Sequence, residues 1–252
     1  MTLRFASLAS GSRGNCSLVE FDDTLLMVDC GLPLTVVEER LGALGRDPRD
    51  VTAILVTHEH GDHVQGVGPF ARRYTTPVWM TPGTASASRG VHSPKYLSSH
   101  RGVQIGAIAV EPYPVPHDAR EPCQFAFVAG SRRLGMLTDT GFITPHISAR
   151  LAGCDALAVE CNHDLDMLQS GPYPESLKAR VASRYGHLNN EQTTELLAKV
   201  RHGGLQWVIG LHLSEKNNSP VQARDALSAA LDGEHTVHLA TQDAATAWLP
   251  VL

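Results

Sequence analysis

The sequence His-Glu-His-Gly-Asp-His, which begins at His58, places three histidines and two carboxylates within six positions. It directly follows the apolar run Ala-Ile-Leu-Val and one threonine, so a strand would deliver these side chains at its end. Side chains two positions apart leave a strand on the same side, which lets His58 and His60 contact one ion. A turn at the glycine then brings Asp62 and His63 towards a second ion. Imidazole and carboxylate ligands suit Zn²⁺, Mn²⁺ or Fe, so the segment predicts a metal site rather than a polar turn.

Short apolar runs alternate with turns and helical patterns, which is typical of an α/β protein. Period-two and β-branched runs predict strands at Leu3–Ala9, Ser17–Phe21, Leu25–Val28, Ala53–Val56, Val78–Met80, Val103–Val110, Gln124–Val128, Arg133–Thr138, Ala156–Val159, Trp207–Leu211 and Thr236–Leu239. Helical spacing predicts helices at Pro33–Leu44, Val64–Tyr74, Pro174–Ser183, Asn190–His202 and Pro220–Leu231. The Ser/Gly/Pro-rich segment 81–102 is predicted to be a surface loop near the site.

Composition and charge limit the class of protein. A chain of 252 residues with 42% hydrophobic and 19% charged residues is typical of a globular protein, and we predict one domain over residues 1–252. The net charge of −5 provides no basic footprint of the kind that duplex-binding proteins carry. Five scattered cysteines without a C-x-x-C pair favour reduced thiols and a cytoplasmic protein. Neither a signal peptide nor a long apolar run occurs, so we expect no membrane contact. The oligomeric state stays open, with a homodimer among the options.

The segment Thr57–His63 resembles the T-H-x-H-x-D-H signature of the metallo-β-lactamase-fold hydrolases. In that family the signature is joined downstream by a histidine, an aspartate and a final histidine, each at a strand end. His117, Asp139 and His212 follow in this order, and Asp139 stands in the family's D-[ST]-G context. The resemblance implies an α/β fold of the metallo-β-lactamase type, an αβ/βα four-layer sandwich of two mixed sheets flanked by helices.

The resemblance also implies two divalent metal ions per chain, Zn²⁺ or Mn²⁺, with Fe as a further option. The ligands implied for one ion are His58, His60 and His117, and those for the other are Asp62, His63 and His212. Asp139 would bridge the two ions, and Asp62 is also a candidate catalytic carboxylate. Two such ions lower the pKa of a shared water towards neutrality, which suits hydrolysis. Glu59 alternates away from its neighbours and is expected to face solvent or to support a ligand.

Segments outside the histidine-rich signature indicate which branch of the family the chain resembles. The segments Phe5–Ser17 and Leu26–Gly31 resemble the start of the YycJ-like (WalJ-like) proteins, which are described as 5′→3′ exonucleases or as uncharacterised metal-dependent hydrolases. Similar segments surround His163, His187 and His212, and the match runs over roughly residues 3–220. The resemblance favours a phosphodiesterase or 5′→3′ exonuclease, with a phosphodiester substrate that includes ends of single-stranded DNA or RNA.

Several further residues are candidates for contact with the substrate. The loop 10–15, with Ser10, Ser12 and Asn15, would cradle a phosphate in a nest of backbone N–H groups or form a plain tight turn. It lacks the Lys-[Ser/Thr] ending of a P-loop, which disfavours nucleoside triphosphates. Asp29, at a strand end, is expected to orient a ligating histidine.

His187 lies just before a predicted helix start, where the positive end of the helix suits an anionic substrate. We predict that it is a general acid or contacts a phosphate, against the alternative of an exposed loop histidine. His163 is a weaker candidate for the rim of the site.

Two other functions stay open at this point. One is a hydrolase of small cyclic phosphodiesters or esters, and the other is a non-catalytic binding or carrier protein that the ions stabilise. The complete set of ligands argues against the carrier. A basic track leading from the metals would favour the nuclease over the small-molecule hydrolase, and the candidates for it are Arg72, Arg73, Arg89, Lys95 and Arg101.

Overall fold

The computed structural model describes residues 1–231 and 235–252. Its strands are β1 (Leu3–Ala9), β2 (Cys16–Phe21), β3 (Thr24–Val28), β4 (Val51–Leu55), β5 (Val78–Met80), β6 (Lys95–Tyr96), β7 (Val103–Ile105), β8 (Ile108–Pro114), β9 (Cys123–Ala129), β10 (Arg132–Leu137), β11 (Ala156–Glu160), β12 (Trp207–Leu211), β13 (Thr236–Leu239) and β14 (Leu249–Val251). Its α-helices are α1 (Leu34–Ala43), α2 (Gly61–Val64), α3 (Val67–Tyr74), α4 (Pro82–Ala87), α5 (Pro145–Leu151), α6 (Leu165–Ser170), α7 (Glu175–Val181), α8 (Asn190–Val200) and α9 (Pro220–Ala229). In these two ranges, no helix combines the length and the apolar character needed to cross a membrane.

The strands form two seven-stranded sheets, ordered β14-β1-β2-β3-β4-β5-β6 and β13-β12-β11-β10-β9-β8-β7. Both sheets are mixed. The run from β3 to β6 is parallel in the first, and the run from β10 to β13 is parallel in the second. Parallel neighbours end at the same edge of a sheet, so the loops that follow these strands in each sheet lie side by side.

Three hydrophobic layers hold the sheets and helices together. Phe5 and Leu55 of the first sheet pack with Phe125 and Ile209 of the second, and all four side chains are at most 1% exposed. This middle layer explains why both sheets contain strands with almost no polar residues, since each sheet is covered on both faces.

Helices cover the outer faces of both sheets. Leu41 of α1 and Phe70 of α3 belong to the hydrophobic layer on the first sheet, which includes Ile54. Leu196 of α8 packs in the corresponding layer on the second sheet, with Val208. The arrangement is helices, sheet, sheet, helices, and it confirms the predicted αβ/βα four-layer sandwich.

Two predicted elements are divided in the structure. Val103–Val110 was expected to be one strand, but β7 and β8 form a hairpin in which Ile105 pairs with Ile108. Gly106 permits this tight turn because it adopts a positive φ of 55°. The predicted helix Val64–Tyr74 is interrupted at Gly66, where a Cβ would lie only 2.2 Å from the carbonyl oxygen of Leu32.

The segment 81–102, expected to be a loop, contains α4 and the short strand β6. Thr81 caps α4 by accepting a hydrogen bond from the backbone N–H of Thr84. Helices α5 and α6 and strand β14 were not predicted. The two helices are only seven and six residues long, which is too short for a clear 3.6-residue period.

An ion-pair network joins the first two strands to the segment after α1. Glu20 on β2 lies opposite Arg4 on β1, and its carboxylate also accepts hydrogen bonds from Arg46 at 2.8 and 3.0 Å. Burial opposes ionisation of Glu20, but the hydrogen bonds from Arg46 and Arg4 outweigh it and lower the pKa of the carboxyl group. The network therefore stabilises the ionised form of Glu20.

Candidate metal centre

The candidate ligands meet at the edge where the parallel strands of both sheets end. The segments after β4, β8, β10 and β12 supply them, and they are His58, His60, Asp62, His63, His117, Asp139 and His212. The first four come from one connection that includes the short helix α2. The fold thus explains why residues far apart in the sequence become neighbours.

His58, His60 and His117 form one group. Their ring centroids lie 4.6 to 5.0 Å apart, and Nε2 of His117 is 3.3 Å from Nδ1 of His60. Two nitrogens that bind the same tetrahedral zinc at 2.0–2.1 Å are themselves about 3.3 Å apart. One ion can therefore contact all three rings.

Asp62, His63 and His212 form a second group. Oδ2 of Asp62 lies 3.4 Å from Nε2 of His63 and 3.5 Å from Nε2 of His212. The ligand atoms of the three residues all lie within 4.8 Å of one another. This group combines one carboxylate with two imidazoles, which suits Zn²⁺ or Mn²⁺.

Asp139 lies between the two groups. Its Oδ2 is 3.4 Å from Nε2 of His63, and its Oδ1 is 4.0 Å from Nε2 of His117. One carboxylate thus reaches a member of each group, as a bridging ligand requires. Oδ2 is buried and has no hydrogen-bond partner among the described residues, a costly state for a carboxylate oxygen that no cation contacts.

The hydrogen bonds around His58 define which of its nitrogens is free. The Thr57 hydroxyl has one proton, which it donates to the Asp29 carboxylate at 2.8 Å. The hydroxyl must then accept from Nδ1–H of His58, 2.9 Å away, because a carboxylate can only accept. This leaves a lone pair on Nε2, which is buried without a partner.

The other histidines follow the same logic. Nδ1 of His63 donates to Asp29 at 2.8 Å, and Nδ1 of His117 donates to the Gly186 carbonyl oxygen at 3.1 Å. His60 is reversed, since its Nε2 faces the Asp118 carbonyl oxygen at 3.3 Å and its Nδ1 faces His117. Each ring therefore presents a lone pair to the cluster, so the residues fit a pair of divalent cations.

The histidines and carboxylates of the cluster shift one another's pKa values. Burial alone would lower the pKa of His212, but Asp139, Asp62 and Glu160 raise it to about 10. Burial likewise opposes ionisation of Asp139, yet His212 and His63 hold the pKa of its carboxyl well below the usual range. The carboxylates thus stay ionised and attract cations.

Three residues of the centre adopt left-handed backbone conformations. The φ angles are 59° at Asp29, 50° at Asp139 and 54° at His212. Each of these residues follows a parallel strand. The left-handed conformation is unfavourable for a residue other than glycine, so contacts elsewhere in the fold must stabilise it. The expectation that Asp29 orients a histidine is confirmed by its bond to His63, and its second oxygen accepts from the Thr57 N–H at 2.8 Å.

Glu160 is a residue of the site that the sequence reasoning missed. Its side chain is fully buried at the end of β11 and accepts hydrogen bonds from Nδ1 of His187 at 2.8 Å and from the backbone N–H groups of Leu188 and Thr140. Burial opposes ionisation of Glu160, but the neighbouring His187 and His212 outweigh it and lower the pKa of the carboxyl group to about 2. A lone carboxylate at the end of the apolar strand Ala156–Val159 was the signal that could have revealed it.

The loop 10–15 supports the centre instead of forming an open phosphate nest. The side-chain amide of Asn15 lies 3.1 Å from Nε2 of His63 and 3.3 Å from Oδ2 of Asp62. Ser10 accepts from the backbone N–H of His212 at 2.7 Å. The N–H groups of Gly11, Arg13, Gly14 and Asn15 all donate to protein oxygens. Of the three predicted residues, only Ser12 is exposed.

The structure also tests the expectations for His163 and Glu59. His163 was expected at the rim, but it is only 1% exposed, and burial lowers its pKa to about 4, so it does not reach a substrate. Glu59 belongs to neither group of candidate ligands and accepts a hydrogen bond from the Arg120 N–H at 2.8 Å. It holds the segment that follows His117.

Residues 9–199 match the metallo-beta-lactamase superfamily. The chain belongs to this superfamily. It is 37% identical over 238 residues to the exodeoxyribonuclease YycJ of Bacillus anthracis, a match that covers 92% of this chain and 90% of that protein. It is 34% identical to the exodeoxyribonuclease WalJ of Streptococcus pneumoniae, over 85% of this chain and 83% of that protein. These similarities confirm the resemblance to the YycJ-like branch.

Solved structures show the same fold. The metallo-beta-lactamase fold protein YhfI of Bacillus subtilis aligns with a TM-score of 0.74 at 13% identity, over 98% of this chain and all of that one. The superfamily and the site together make the chain a metal-dependent hydrolase of this superfamily.

Proposed function

We propose that the protein is a metal-dependent exodeoxyribonuclease that removes nucleotides from single-stranded DNA ends in the 5′→3′ direction. Asp139, which reaches both groups of histidines, is the observation that carries the hydrolytic part of this proposal. The similarity to YycJ over nine-tenths of both chains supports DNA as the substrate. We further propose that residues 1–252 act as one domain.

The proposed ligands hold two divalent cations, Zn²⁺ or Mn²⁺, in the groups described above. When bound, the cations activate a water as nucleophile and stabilise charge on the phosphate oxygens. The chain keeps their ligands in place through Asp29, Thr57 and Asn15, which contact the histidines and Asp62 directly.

His187 is the proposed general acid. Nδ1 of His187 donates to Glu160 at 2.8 Å, which leaves Nε2, on the other side of the ring, as the atom that would pass a proton to the substrate. His187 is 19% exposed at the side chain and lies 3.7 Å from Asp139, which puts it beside the centre and within reach of substrate. Protonation of the departing oxygen by such a group accelerates hydrolysis by about 10²–10⁴.

The proposal is tested by a panel of substrates with the Mn²⁺-loaded and Zn²⁺-loaded protein. The panel contains 5′-phosphorylated single-stranded DNA, the RNA of the same sequence and bis(p-nitrophenyl) phosphate. The expected result is rapid digestion of DNA that chelation abolishes and fresh metal restores. Asp139→Asn is the inactive control, because asparagine tolerates the left-handed backbone at this position while removing the bridging charge.

Cleavage of the small diester without digestion of DNA would replace the proposal with a small-molecule phosphodiesterase. Faster digestion of RNA than of DNA would reassign the substrate. No cleavage of any substrate by fully metal-loaded protein would favour the binding or carrier alternative.

A further inference from the structure

The segment 184–187 is fixed tightly against the metal centre. The Tyr185 carbonyl oxygen accepts from the Asp118 N–H at 3.1 Å, next to the proposed ligand His117. A Cβ on Gly141 would lie 2.2 Å from the Arg184 carbonyl carbon, so the segment packs directly on the loop that carries Asp139. The backbone of Tyr185 therefore has a defined position beside the centre.

The Tyr185 side chain contrasts with this anchored backbone. It is 60% exposed, and its ring and hydroxyl have no hydrogen-bond, aromatic or cationic partner within residues 1–231 and 235–252. Exposed aromatic rings on a rigid backbone are the platforms on which proteins stack unpaired nucleobases.

Two arginines, Arg180 and Arg184, belong to the same short segment as Tyr185. Arg184 is exposed, lies over the Phe142 ring at 4.3 Å and has no carboxylate partner in the described ranges. Arg180 donates to Asp118 at 2.6 Å, and its side chain is still 54% exposed. Arginine pairs with phosphate through its planar guanidinium group and remains charged at all relevant pH values.

The sequence alone suggested a basic track elsewhere. Of those candidates, Arg73 pairs with Glu38, Arg72 donates to the Gly90 carbonyl oxygen, and Lys95 lies over Trp79. None of these contacts involves a proposed ligand or its neighbours. Arg180 and Arg184, in contrast, contact the segments that carry Asp118 and Gly141, next to the proposed ligands.

We infer that Tyr185, Arg184 and Arg180 form a nucleotide subsite at the entrance of the metal centre, in which a base of single-stranded DNA stacks on Tyr185 and the arginines contact adjoining phosphates. The inference rests on the proposed nuclease function and deepens it. It explains how a protein of net charge −5 can bind a polyanion, since the positive charge is local. The subsite would also favour unpaired strands, because both faces of a base inside a duplex are covered by its stacked neighbours.

The test compares Tyr185→Ala, Tyr185→Phe and Tyr96→Ala in the Mn²⁺-loaded protein. Tyr96 is 64% exposed and lies on the edge strand β6, so it is a matched exposed tyrosine outside the proposed subsite. Fluorescence anisotropy gives Kd for a short phosphorothioate oligodeoxynucleotide, and initial rates give KM and kcat for the normal oligonucleotide. A second strand that carries abasic nucleotides measures binding without bases.

Tyr185→Ala is expected to raise Kd and KM on the order of tenfold and to leave kcat within about twofold of the wild-type value. Tyr185→Phe and Tyr96→Ala are expected to match the wild type. The wild type and Tyr185→Ala should bind the abasic strand equally. Arg184→Ala is expected to weaken binding of both the normal and the abasic strand and to reduce the dependence of Kd on salt concentration.

The inference is overturned if Tyr185→Ala binds and digests the oligonucleotide like the wild type, or if Tyr96→Ala shows the loss instead. Failure of the proposed function has a different signature, since the wild type would then digest no DNA. The anisotropy measurement decides on the subsite even in that case, because it requires no cleavage.

Discussion

Replacing Asp29 with asparagine isolates the role of proton placement in the metal centre. Asparagine has nearly the same shape and tolerates the left-handed backbone found here, with φ of 59°. The amide oxygen can still accept from the Thr57 N–H, as Oδ1 does at 2.8 Å. The amide nitrogen, however, takes the place of Oδ2, which accepts from both the Thr57 hydroxyl and Nδ1 of His63.

An amide nitrogen cannot accept these protons. His63 must then give up its hydrogen bond or move its proton to Nε2, the atom that faces Asp139 and Asp62. Either change weakens the group formed by Asp62, His63 and His212. Mutation of such supporting partners typically costs 10–100-fold in metal affinity, which corresponds to about 1.4–2.8 kcal/mol.

The assay is a Zn²⁺ titration in competition with a chromophoric chelator, with the metal content after dialysis measured by mass spectrometry. The expected result is one site of near wild-type affinity and one site weakened 10–100-fold. Asp22→Asn is the matched control, because Asp22 is an exposed aspartate with φ of 57° in the β2–β3 turn. Two sites of unchanged affinity in correctly folded Asp29→Asn would refute the reasoning.

Three further predictions follow from the same contacts. Glu160→Gln is expected to lower kcat on the order of tenfold to a hundredfold with little change in KM, because the amide no longer fixes the His187 proton. Single-turnover kinetics measure this effect, with the exposed Glu175→Gln as control. Equal rates for the two variants would contradict the role given to Glu160. Zn²⁺ affinity is expected to rise with pH through neutrality, because His212, with a pKa of about 10, must release a proton to bind a cation. Calorimetry in buffers of different ionisation enthalpy measures the number of protons released. An affinity that does not change with pH would contradict the role of His212 as a ligand. Glu20→Gln is expected to lower the unfolding free energy by about 1–2 kcal/mol at pH 7. Because the pKa of Glu20 is lowered in the folded state, this loss should shrink as the pH falls through that pKa. Urea unfolding that shows an equal loss in acid would contradict the role given to the Glu20 carboxylate.

The sequence was most informative where one segment carried both an apolar strand and its chemistry. β4 and the metal site formed by the histidines after it could be predicted from one segment, because the end of a strand defines where the next side chains point. The two sheets and their packing could be predicted through the family resemblance, since alternating strands and helices alone fit several α/β architectures. The hairpin of β7 and β8 was missed because Gly106 lies inside a run in which Gln104 is the only polar side chain.

Contacts between distant segments could not be predicted from the sequence. Glu160 becomes part of the site only because β11 lies between β10 and β12, next to the strands that lead to Asp139 and His212. Ser10 and Asn15 have the composition of a phosphate loop, but the fold directs their hydrogen bonds to the ligands. Likewise, nothing in the local sequence of His163 indicates that it is buried.

The most direct test of the central claim is the release of products from single-stranded DNA labelled at either end, with Mn²⁺-loaded wild-type protein and Asp139→Asn. The account predicts that mononucleotides appear first from the 5′ end, that chelation stops their release, and that Asp139→Asn releases none while retaining its fold. DNA digestion that survives both chelation and Asp139→Asn would contradict the assignment of the activity to this metal centre.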